Sequence, residues 1–320
     1  MKQEVKMYNG RFKEILKTII KDWRLYVLLA PMVIWFFLWA YKPMGGLLMA
    51  FQRYEPALGI SGSEFRGLGN FQVIVSGVYS SRFWSAFRNT FLISLYGFIF
   101  GFPIPIILAL FFSEIGSAGF RKITQTITYL PHFLSEVTIT SIVLMLVYHG
   151  ERMTGVVAQF LYNLKIVPEG TKIMDTPNYF KPLYIITGIW KEAGYNSIVY
   201  FAAIMGISPV LYEAIRVDGG NKLQEIRYVT LPGMAPTLII MIILRIGRML
   251  SVGYERVLLL YNPNIYSSAD VLSTFEQRIG IIEGVYAVGS AAGMFNSIIG
   301  FALVIAANFI SRRVSKTSLW

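Results

Sequence analysis

A chain of 320 residues could form two soluble domains, but AVILMFWYC residues make up 55% of this one and DEKR residues only 15%, against roughly 25% charged in a globular domain. Too little polar surface remains to cover two cores, whereas six spans of about 20 apolar residues consume on the order of 120 residues and leave the rest for loops and tails. The net charge of +11 comes without an RNA- or DNA-binding signature, which excludes nucleic acid; the lack of cysteine and the presence of only two histidines exclude disulfide scaffolds and the usual zinc sites.

In chain order, residues 11–24 set Phe12, Ile15, Leu16, Ile19, Ile20 and Trp23 on one helical stripe opposite basic residues. This segment (residues 1–24) is expected to lie along the inner leaflet, against anionic lipid. Hydropathy then predicts six spans, at about Leu25–Leu48, Phe87–Phe112, Ile127–Tyr148, Leu183–Ile207, Met234–Tyr261 and Ala287–Ile310. The first span with its outer loop takes residues 25–86, a five-span core takes 87–310, and a basic tail takes 311–320. The outer segments 53–86 and 150–182, rich in Gly, Ser, Asn and Pro, read as structured connectors. Segments on the side of both termini hold fifteen Lys and Arg, and those on the other side hold eight. Both termini, and the loop 208–232, are therefore expected in the cytoplasm.

An ionisable side chain at bilayer depth costs at least ~2.5 kcal/mol and so faces protein or water. Glu136 in span three, Lys191 and Glu192 in span four, and Arg245, Arg248 and Glu255 in span five meet that condition. With Trp190, Tyr195 and Asn196, the span-four residues offer an aromatic plane, a hydroxyl and an amide suited to sugar. A structural pair between Lys191 and Glu136 is the competing reading. Pro103 and Pro105 predict a kink in span two. Gly97 with Gly101, and Gly289 with Gly293, are small-xxx-small patterns that predict close helix packing.

The loop Ser208–Thr237 reads as two short helices around Gly219-Gly220, where a residue without Cβ can adopt positive φ. The second helix is expected to stop at Leu231-Pro232. Its residues Glu213-Ala214-Ile215, Gly219, Val229 and Leu231-Pro232 keep every spacing of the EAA motif. On these residues the chain resembles the type I ATP-binding-cassette importer permeases. Ile215 and Val229 are apolar departures from the motif. Further stretches, Ile189–Ile207, Val252–Phe275 and Tyr286–Arg313, look like the carbohydrate branch, and within it the complex-polysaccharide and oligosaccharide permeases of Gram-positive bacteria, the LplB-like group.

The resemblance implies an all-α, six-span, non-catalytic membrane subunit with the type I permease fold, sited in the bacterial plasma membrane. It also implies a second related permease, a cytoplasmic ATPase dimer, an extracellular sugar-binding lipoprotein and an oligosaccharide cargo. Glu213, Ala214, Ile215, Asp218, Gly219, Val229, Leu231 and Pro232 would couple to the ATPase. Glu136, Trp190, Lys191, Glu192, Tyr195 and Asn196 are the candidate pathway. No phosphate-binding G-x-x-x-x-G-K-[ST] occurs, so ATP and Mg²⁺ are expected on the ATPase and no cofactor on this chain. An ion-coupled secondary transporter would need inverted repeats and broken helices in matching halves, which the sequence does not display. A membrane-embedded enzyme would need clustered His, Asp or Glu, and neither His132 nor His149 has such company in the sequence.

Overall fold

The computed structural model describes residues 21–150 and 153–315; the expected interfacial helix falls outside these except for its last four residues. Helix α1 (Trp23–Phe51) carries only Arg24 and Lys42 as charged residues and buries only Ala50. Its course changes at Phe37–Tyr41, a π turn, and continues as a 3₁₀ stretch over Lys42–Phe51, where Pro43 supplies no N–H to an α-helical ladder. Strands β1 (Gln52–Arg53) and β2 (Glu64–Phe65) pair antiparallel. Helix α2 (Gly69–Val75) is tied to them through Asn70, whose Nδ2 donates to the carbonyls of Ala50 and Gln52 at 3.0 and 2.8 Å.

Helix α3 (Ser80–Glu114) runs 35 residues. As expected at Pro103 and Pro105, which supply no N–H, the helical ladder is interrupted at Phe102, between Ser80–Gly101 and Pro103–Glu114, but Phe102 keeps helical angles (φ −76°, ψ −42°) and the two segments form one span. The third expected span is instead two helices: α4 (Ala118–Phe133) and α5 (Glu136–Val147) meet at 99°. Pro131 removes a backbone donor in the last turn of α4, Leu134 is extended, and the Ser135 hydroxyl accepts the Thr138 N–H at 3.1 Å to start a new helix. After the short helix α6 (Val156–Asn163), α7 (Pro177–Met205) crosses as one 29-residue helix. It turns by 69° into α8 (Pro209–Val217).

Helix α9 (Lys222–Gly233) joins α10 (Ala235–Gly247) at 66°. The expected stop at Leu231-Pro232 comes one residue later, at Gly233, where the chain bends. A π turn at Ile226–Thr230 widens the ladder just before Pro232, and the helix continues to Gly233. Span five is also discontinuous, since the helix ends at Gly247 and restarts as α11 (Tyr254–Leu260) after Gly253. Helix α12 (Leu272–Gln277) then packs on α13 (Tyr286–Ser315).

The core is distributed along α3 and α7 rather than gathered at one centre. At one end, Ile74 of α2, Phe83 and Ala86 of α3, Phe275 of α12 and Ala291 of α13 interlock. At the other, Ala109 of α3, Tyr200 and Ile204 of α7 and Met234 pack together. Glycines at helix contacts let backbones approach unusually closely, as two of them show. A Cβ on Gly194 of α7 would lie 2.1 Å from the Thr128 carbonyl oxygen of α4, and one on Gly289 of α13 would lie 2.6 Å from Gly280 Cα. Gly289 therefore packs as its pattern predicts. Gly97 has nothing near its missing side chain and Gly101 only ordinary contacts, so this second glycine pair does not serve close packing; both residues line a cavity.

Candidate functional site

The break between α4 and α5 sets Glu136 at the first residue of α5, where the helix N-terminus favours an anion. Two buried cations converge on its carboxylate. Lys191 Nζ of α7 lies 2.6 Å from Oε1, while Arg256 of α11 donates from Nε to Oε2 at 2.9 Å and from Nη2 to Oε1 at 2.8 Å. The fork geometry makes this a bidentate guanidinium–carboxylate pair. Gly188 of α7 makes room for it, since a Cβ there would lie 2.7 Å from an Arg256 guanidinium nitrogen. Arg256 also sits over the Tyr184 ring, 5.4 Å from its centre. The Lys191–Glu136 pair is thus present, with a third member the sequence did not disclose. Glu255, flagged in its place, is exposed, because the restart at Gly253 turns the neighbouring residue inward.

In front of this triad lies a cavity of about 430 Å³ between α3, α7 and the end of α10, within the roughly 300–1,000 Å³ range of ligand sites. Gly97 and Gly101 of α3 open its wall, and Glu192, Asn196 and Tyr200 of α7 face it, as do Arg245, Arg248 and Arg256. Spacings of four residues from Glu192 to Tyr200 keep this face in register along α7.

The six candidate pathway residues therefore separate. Glu192 and Asn196 reach the cavity, Glu136 and Lys191 form the charged triad beside it, and Trp190 and Tyr195 do not line it. Tyr195 stacks on His132, with ring centroids 3.8 Å apart and planes 3° from parallel, and His132 Nδ1 lies 3.0 Å from Glu192 Oε2. His132 thus has the acidic company that sequence spacing hid. It remains a pair, for no group of three or more metal-ligating side chains occurs among the described residues.

The loop between α7 and α10 is a closed unit. Gly219 has φ +76°, and a Cβ on Gly220 would meet Ile215 Cγ1 at 2.6 Å. The bulkier residue at the third EAA position therefore packs within the loop instead of projecting from it. Asn221 caps α9 reciprocally: its side chain accepts the Gln224 N–H at 3.0 Å, and Gln224 Oε1 accepts the Asn221 N–H at 2.7 Å. Buried Glu225 binds Arg216 at 2.6 Å and Lys222 at 2.6 Å, and Lys222 reaches Glu114 at the end of α3 at 2.9 Å. The hydrogen bonds from Arg216 and Lys222 pull the Glu225 carboxyl down to about 2. Tyr212 and Thr230 join α8 to α9 through their hydroxyls at 3.1 Å. Glu213, Ala214 and Asp218 are left exposed on the outer face, with Leu231 and Pro232 at the far end and Val229 half-buried between.

Comparison with known proteins fits this arrangement. Residues 101–316 match the family described as binding-protein-dependent transport system inner membrane component. The polygalacturonan/rhamnogalacturonan transport system permease protein YteP of Bacillus subtilis is 33% identical over 308 residues, covering 96% of this chain and 94% of the relative. Protein LplB of the same organism is 33% identical over 300 residues, covering 94% and 92%. Among solved structures, a chain of a bacterial alginate ABC transporter, crystallised in complex with an alginate pentasaccharide-bound periplasmic protein, superposes with a TM-score of 0.84 at 42% identity. That match covers 95% of this chain and 99% of the other. Fold, loop spacing and similarity over nearly the whole length agree: this chain belongs to the inner membrane components of binding-protein-dependent transport systems.

Proposed function

We propose that the chain is one of two membrane subunits of an ATP-driven importer of oligosaccharides, and that its cavity is half of the translocation path. The observation that carries this reading is the braced loop α8–α9. It keeps the spacing Glu213, Gly219, Leu231-Pro232, and it presents Glu213 and Asp218 outward while its inner face is consumed by Arg216, Glu225 and Lys222. Such a unit suits docking into a separate ATPase, since the chain has no phosphate-binding loop of its own. The excess of Lys and Arg on the side of this loop supports a cytoplasmic setting for it and for both termini. A saccharide cargo is supported by the polysaccharide relatives. By the same likeness, an extracellular binding protein delivers the cargo and a second permease completes the path. The charged triad braces α5, α7 and α11 behind the cavity, and Glu192 and Asn196 are the candidate pathway residues that face cargo.

The test is uptake of labelled oligosaccharide by proteoliposomes holding the assembled importer and its binding protein. Glu213→Lys and Gly219→Asp are expected to abolish uptake while the chain still inserts in the membrane. Unimpaired uptake by both variants would overturn the coupling role.

A further inference from the structure

The cavity carries more positive charge than the triad explains. Arg256 is committed to Glu136, but the Arg245 guanidinium meets only the Gly97 carbonyl, at 3.3 Å, and the Arg248 guanidinium has no hydrogen bond or ion pair among the described residues, where only its backbone is bonded. The single carboxylate on the cavity wall, Glu192, faces His132. At 1.5 Å per residue, Arg245 stands about 15 Å along α10 from Ala235, which is near mid-depth of a hydrocarbon core about 30 Å thick. Placing a guanidinium there costs ~2.5–3.5 kcal/mol. The negative end of the α10 dipole returns about 0.3–1 kcal/mol. Helix capping is thus too weak to account for two such residues side by side, and both open onto the cavity.

We propose that Arg245 and Arg248 form a carboxylate-reading subsite, which makes the preferred cargo an oligosaccharide bearing uronate groups. A guanidinium presents donors in a planar fork that matches a carboxylate bidentately, which a neutral sugar hydroxyl cannot use in the same way. A cavity walled by low-dielectric helices, with three arginines against one carboxylate on its lining, concentrates negative charge. Asn196 and Ser94, on facing walls, offer neutral hydrogen bonds for the ring hydroxyls. The inference rests on the saccharide-import reading above.

The assembled importer with its own binding protein, in proteoliposomes, is offered oligogalacturonates, oligomannuronates and oligoglucuronates, each beside its fully methyl-esterified, uncharged form. Accumulation of an acidic oligomer at least tenfold faster than its ester is expected. R245Q and R248Q should each lower that ratio at least tenfold, with R245K between wild type and R245Q. Because the ratio compares two cargoes on one preparation, loss of folded protein leaves it unchanged. Accumulation of esters or neutral saccharides in preference to the acids would overturn the subsite, as would an unchanged ratio in both glutamine variants. Reduced recovery of the second permease on co-purification of R245Q and R248Q, with the ratio retained by the importer that still assembles, would show instead that the arginines pair with that subunit. Failure of the wild type to accumulate any saccharide would strike the import reading itself.

Discussion

Glu136 is the residue on which three segments depend. It is the one carboxylate that Lys191 and Arg256 share, so Glu136→Gln leaves two buried cations without a counter-charge, a situation that typically costs about 3–5 kcal/mol. The expected outcome is a clear fall in the thermal midpoint of the detergent-solubilised importer, with Glu136→Asp falling less; an unchanged midpoint would show that the triad does not brace the fold. Glu225 behaves differently because its carboxyl is held at about 2, below its ordinary 4.5. A depressed folded value means that its stabilisation is complete above pH 4.5 and is lost as pH falls toward 2. Limited proteolysis within residues 208–232 should therefore be constant from pH 5 to 8 in the wild type, whereas Glu225→Gln should be cleaved faster throughout that range.

What could be read in the sequence at this scale depended on distance along the chain. Glu213, Gly219 and Leu231-Pro232 were legible because the motif fixes their separations within one loop. Arg256 and His132 were not, since their partners lie 120 and 60 residues away. One signal was available for Arg256: it is a charge inside an apolar run that a glycine precedes by three positions, so a helix restarting there would choose its face afresh.

Among elements, the long helices were legible from hydropathy and the breaks were not. An averaging window sees the apolar content of α4 with α5, or of α10 with α11, and joins each pair into one span. The backbone instead responds to single residues: Pro131 and the Ser135 cap in the first pair, Gly247 and Gly253 in the second. Where helices touch, glycine sets how closely. Gly194→Ala would thrust a methyl group into the Thr128 carbonyl, an overpacking expected to cost about 1–3 kcal/mol or more and to lower the thermal midpoint. Gly97→Ala meets open space and should leave that midpoint unaltered. At the cap of α9, Asn221→Ala removes a reciprocal pair of hydrogen bonds and is expected to cost ~1 kcal/mol. Faster amide exchange at the start of that helix would register it.

At the scale of the whole molecule, one helix divides the work. Helix α7 turns Glu192, Asn196 and Tyr200 toward the cavity and Lys191 toward the triad, so the cavity wall and its brace share a backbone. Helix α1 stands apart from this division, with nearly all of its apolar surface uncovered, as befits an element facing lipid or a neighbouring subunit. Deleting residues 25–41, the part of α1 that buries no residue, should accordingly reduce recovery of the assembled importer from membranes more than it reduces folding of residues 87–310. Mild-detergent co-purification beside protease resistance of the remaining chain distinguishes the two.

The contact of Lys222 with both Glu225 and Glu114 gives the molecule a mechanical property. It rivets the α8–α9 loop to the foot of α3, the helix that also carries Gly97 and Gly101 on the cavity wall. A push delivered to the loop thus has a lever arm of 35 residues, and the chain, being free of cysteine, can report on it. A thiol cross-linker long enough to span the two extended side chains, joining cysteines placed at 114 and 222, should hold the rivet closed and leave uptake running, because the two ends it joins are expected to travel together.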